Sequence, residues 1–134
     1  MESLIRQYFQ SRPEIAAVYL FGSRAQGRHA DNSDVDLAIL TRTENTEAQS
    51  ALLERVLVEL PRLTRKDIHP VLLNTAGETL LRQIFTKGRC LLVNDPKQLS
   101  RFKMHAFVRI AEFGYHLKRI QKGFVCKTMN LQDG

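Results

Sequence analysis

The sequence predicts an α/β fold: a small sheet covered by helices, with a long helix at the end. Three features predict it. Short apolar runs are rich in β-branched and aromatic residues, segments of helical period lie between them, and turn or capping chemistry marks most of the joins. The order is helix, strand, turn, strand, helix, strand, helix, strand, helix, which reads as a single α/β layer.

The first helix is "SLIRQYFQS", with Leu4, Ile5, Tyr8 and Phe9 at helical spacing and Pro13 beyond its end. "IAAVYLF" is a continuous apolar run closed by Gly22, and so a buried strand. "SRAQGRHADNS" is turn chemistry, with room for one helical turn after Gly22 and Ser23. In "DVDLAIL" alternation puts Val35, Leu37 and Ile39 on one face and Asp34 and Asp36 on the other.

Thr46 and Gln49 form a capping box for a helix carrying Leu52, Leu53, Val56, Leu57 and Leu60, closed near Pro61. "DIHPVLLN" is a third strand, and Pro70 within it requires an edge or a bulge. Thr75 and Glu78 cap a helix with Leu80, Leu81, Ile84 and Phe85 inward and Gly88 at its end. "RCLLV" is a fourth strand with Cys90 in the core. Asp95 and Pro96 suit the N-cap and first position of a long amphipathic terminal helix.

The length of 134 residues suits one domain, residues 1–134, with its core over about residues 1–94 and a basic helix and tail over about 95–134. Cys90 and Cys126 make neither a metal motif nor a disulfide framework. No apolar run reaches membrane-spanning length, and "MESLIRQYF" lacks the pattern of an export signal, so a cytoplasmic location is expected. The net charge of +6 sits in the last segment, since basic and acidic residues balance up to residue 96. Such a tail suits an acidic partner; it would also suit nucleic acid, which ranks below a protein partner.

The chemistry concentrates in "LFGSRAQGRHADNSDVDLAIL", residues 20–40. Two carboxylates on one side of a strand repel each other, and a divalent cation relieves that repulsion. Oxygen ligands suit Mg²⁺, which takes one or two carboxylates and completes its sphere with water and substrate phosphates. Ser23 and the peptide N–H groups of its turn can receive phosphate oxygens, Gly22 permits close approach, and Arg24 and Arg28 supply positive charge.

"GSRAQGRHADNSDVDL" resembles the G-S-x10-D-x-D signature of the nucleotidyltransferase superfamily, and "LLNTAGETLLRQIFTKGRCLLVNDP" is similar to its minimal nucleotidyltransferase branch. Many members of that branch are antitoxins encoded beside a HEPN-domain ribonuclease toxin. The resemblance implies a mixed sheet with the site at its edge, ATP as donor, Mg²⁺ held by Asp34 and Asp36, and Gly22, Ser23 and Arg24 on the ATP phosphates. It also implies transfer of AMP to a tyrosine of the toxin. The same resemblance implies a third carboxylate on the adjacent strand. Asp67 is the acid of that strand and is assigned the metal and catalytic role, with His69, where the register falls, as the alternative. Two other functions remain open: a stoichiometric binding antitoxin with lost catalysis, and transfer to a small molecule or an RNA end.

Overall fold

The computed structural model describes residues 1–27 and 34–120, with the side chains of the last helix described as far as Glu112. The elements are α1 (Glu2–Gln10), β1 (Ile15–Phe21), β2 (Val35–Thr41), α2 (Thr46–Thr64), β3 (Ile68–Leu72), α3 (Glu78–Lys87), β4 (Arg89–Val93) and α4 (Pro96–Ile120). The sheet runs β3-β2-β1-β4. β1 pairs antiparallel with both β2 and β4, whereas β2 and β3 are parallel. A parallel pair needs a crossover, and α2 supplies it.

Helices cover both faces of the sheet, in place of the single layer expected. One core joins Ile5 and Phe9 of α1 and Leu52, Val56 and Leu60 of α2 to Val18, Leu20, Val35, Leu37 and Ile39. The second joins Leu81, Ile84 and Phe85 of α3 and Leu99, Ala106 and Ile110 of α4 to Ala17, Tyr19, Phe21, Ala38 and Leu40. β1 is buried along its whole length because it lies inside the sheet and under helices on both sides. That is why its sequence is continuously apolar rather than alternating.

Local details differ from expectation in four places. Asn45, not Thr46, caps α2: its side chain accepts from the Ala48 N–H at 2.9 Å. α2 also continues through Pro61 to Thr64. Proline in the last turn costs one hydrogen bond, that of the Leu57 carbonyl, on a turn whose Leu57 side chain is exposed. Gly77 rather than Thr75 stands at the N-cap of α3, with no side-chain cap. Cys90 is exposed, because it lies at the start of the edge strand β4, where both Arg89 and Cys90 are left uncovered. Asp95 does cap α4, accepting from the Gln98 N–H at 3.1 Å. Pro70 sits on the edge strand β3, and the β2–β3 register runs through it without a bulge.

Candidate active site

The end of β1 and the starts of β2 and β3 meet at one end of the sheet. Their register sets Phe21 opposite Asp36, and Asp36 opposite His69. Directly paired residues project to the same face, so these three side chains form a row across the sheet. β1 then ends at Gly22, whose φ of +76° lies in the left-handed region. A Cβ at this position would overlap the Asp36 carboxylate. The carboxylate therefore lies against bare backbone. Sequence reading found the glycine but not this contact; only the antiparallel register brings the two together.

The chain turns tightly after Gly22. The Gln26 N–H donates to the Ser23 carbonyl at 3.2 Å and the Gly27 N–H to the Arg24 carbonyl at 3.3 Å. Ser23 is half-buried on this turn, while Arg24 is buried and engaged within the protein. Arg28 and His29 lie outside the described residues.

The Asp34 side chain is 44% exposed and that of Asp36 31%, so both remain open to a ligand. His69 stands beside them. Its Nε2 is 3.3 Å from Asp34 Oδ2 and its Nδ1 3.7 Å from Asp36 Oδ1. Burial pushes the Asp36 carboxyl above its ordinary pKa; Asp34 adds to that rise and His69 opposes it. Asp67 is exposed and lies just before β3; its carbonyl accepts from the Val35 N–H at 2.8 Å.

Two neighbouring carboxylates, one desolvated against a glycine, are a donor set that suits a hard divalent cation sharing phosphate ligands. Among the described residues, no group of three or more His, Cys, Asp or Glu side chains is arranged as a metal cage. The arrangement fits a cation whose coordination a substrate completes.

The family described as Polymerase beta, Nucleotidyltransferase matches residues 3–97. The chain belongs to the nucleotidyltransferase family. Over 80 residues it is 34% identical to the protein adenylyltransferase MntA of Shewanella oneidensis, covering 59% of this chain and 55% of that protein. The chain thus spans about half the length of this curated relative. It is also similar to the crystal structure of a toxin–antitoxin with AMP-PNP, at TM-score 0.64 and 28% identity, covering 88% of this chain and 90% of that one. A structure of the toxin–antitoxin MntA-HepT matches at TM-score 0.57 and 26% identity, covering 88% and 87%. The row of Phe21, Asp36 and His69 and the turn at Gly22 all fall within the matched family region. Among the described residues, no helix is long and apolar enough to cross a membrane.

Proposed function

We propose that this protein transfers AMP from ATP to a tyrosine hydroxyl of a partner HEPN-domain toxin in the cytoplasm, and so acts as its antitoxin. The observation that carries this reading is the pair Asp34 and Asp36 held against the bare backbone of Gly22, beside the Ser23 turn. The name of the adenylyltransferase relative and the AMP-PNP in a similar toxin–antitoxin structure support it.

Ser23 donates its hydroxyl to the outer phosphates of ATP, and the N–H groups of the turn add donors that need no side chain. Arg24 contributes positive charge from a buried position. Asp34 and Asp36 would hold Mg²⁺, which when bound supplies neutralisation of the triphosphate charge. His69, in register with Asp36, takes the third position, and Asp67 stays outside the donor set. The acceptor oxygen attacks the α-phosphorus in line; one P–O bond forms, the bond to pyrophosphate breaks, and the acceptor proton leaves to solvent. A loose phosphoryl-type transition state asks chiefly for positioning and charge stabilisation, which two carboxylates and a donor-rich turn can provide.

The test uses ATP labelled at the α-phosphate, Mg²⁺ and a HEPN-domain toxin that this protein binds. Label should appear on a toxin tyrosine, and Asp34→Asn with Asp36→Asn should stop it. If the toxin is neutralised equally without ATP and no label appears, the protein is a stoichiometric binding antitoxin instead.

A further inference from the structure

We infer that the outer face of α2 docks a second copy of this chain, forming a two-fold dimer centred on Val58. The buried face of α2 carries Gln49, Leu52, Val56 and Leu60, and the opposite face meets solvent. In the middle of that outer face Leu57 is 50% and Val58 53% exposed, with Pro61 half-buried beside them. Neither Leu57 nor Val58 belongs to the core beneath the helix. The charges on this face segregate by sign. Glu47 and Glu54 precede the apolar centre, Arg62 follows it, and all three are exposed. Arg55 stands at the flank, in a cleft that it lines together with Glu14.

This pattern complements itself when turned end for end. Glu54 and Arg62 each lie four residues from Val58, one on either side. Eight residues of helix set them about 12 Å apart along the axis, too far to pair within one chain. Against a second α2 running antiparallel, with the two-fold axis at Val58, each Glu54 stands opposite the other copy's Arg62, and the pair forms twice. An isologous contact repeats every interaction in this way, and the apolar side chains at its centre leave water from both copies. A second copy matches the face better than a partner of one charge sign, because both signs lie on it at equal distances from the centre. A single helix pair buries less than the roughly 1,200 Å² of a standard interface, so the dimer is weak and reversible.

Sedimentation velocity of the full chain over a range of concentrations tests this. The wild type should pass from monomer to dimer as concentration rises. Val58→Asp should stay monomeric with an unchanged melting temperature, since Val58 lies outside the core. Glu54→Arg and Arg62→Glu, each alone, should weaken the dimer about tenfold or more, because two attractive pairs become two repulsive ones. Combining Glu54→Arg with Arg62→Glu should restore the wild-type affinity. Met104→Asp, at an exposed apolar position of α4, should dimerise as the wild type does. A wild type that stays monomeric, a dimer that persists in Val58→Asp, or a double variant as weak as the single ones would each overturn the inference. So would a monomeric wild type whose binding to a HEPN-domain toxin is lost in Val58→Asp, which would assign the face to the toxin. ATP takes no part in the sedimentation measurements, so the dimer and the transfer reaction stand or fall separately.

Discussion

The two ends of β2 carry polar residues of opposite habit. At its far end Thr41 is enclosed by amides. Asn74 Oδ1 accepts from the Thr41 N–H at 2.9 Å, and Asn74 Nδ2 donates to the Thr41 carbonyl at 3.1 Å. Gln98 Nε2 donates to the same carbonyl at 2.7 Å, tying α4 to the sheet. Nearby, Asn94 Nδ2 donates to the carbonyls of Ile15 and Phe9 at 3.1 and 3.2 Å. At the near end Asp34 and Asp36 stand beside one imidazole, and both carboxylates remain partly open to solvent. Polar groups that hold a fold are satisfied within it, whereas polar groups that serve a ligand keep their capacity open. The same strand thus ends in a structural lock and begins in a site.

The largest effect that would test this contrast comes from the near end. Asp34→Asn with Asp36→Asn should abolish AMP transfer while leaving thermal stability equal or raised at neutral pH. The sign follows from Asp36, whose pKa is raised by burial. The folded protein binds that proton more readily than the unfolded chain does. This group's contribution to stability is therefore best in acid, below about pH 4, and declines as pH rises through the folded value. At neutral pH the cost is fully present, and asparagine removes it. Melting of Asp36→Asn and wild type in metal-free buffer should diverge in favour of the mutant as pH rises. A destabilised mutant at pH 7 would show that the carboxylate is structural after all.

Gly22→Ala should come next. A side chain at φ +76° costs about 1–2 kcal/mol, and here it also displaces the Asp36 carboxylate. Transfer should fall by more than the melting temperature alone accounts for, as labelled-AMP assays of the folded protein would reveal.

Asn74→Ala reverses the pattern. It leaves the buried Thr41 N–H without its acceptor, which costs about 1–3 kcal/mol in chemical denaturation. Transfer per folded molecule should not change, since the lock lies at the other end of the sheet from Asp36. A specific loss of transfer would mean that the two ends are coupled. Ser23→Ala should leave melting unchanged and cost about 1.5–3 kcal/mol in the use of ATP, less than loss of the Asp pair, because the backbone donors of the turn survive it. An unaltered dependence on ATP concentration would move the phosphate site elsewhere.

The sequence carried much of this in local form. The apolar run of β1, the alternation of Val35, Leu37 and Ile39, the Asp95 cap and the edge position of Pro70 each follow from properties of a few neighbouring residues. They were legible because period, capping and the missing proline N–H act over short distances. So was the signature of Gly22, Ser23, Asp34 and Asp36, whose members lie within fifteen residues of one another in the chain.

What only tertiary structure decided is how separate segments meet. Asp67 and His69 are equivalent by alternation, and the parallel register of β3 on β2 sets His69, not Asp67, beside Asp36. The packing of Asp36 on Gly22 depends on the antiparallel pairing of β1 with β2. Two-sided coverage of the sheet, the exposure of Cys90 and the Thr41 lock depend in the same way on strand order and on helices distant in sequence. Local chemistry selects each element and its faces. Register and partner choice are set by burial and hydrogen bonding summed over the whole sheet, and no short window of sequence contains that sum.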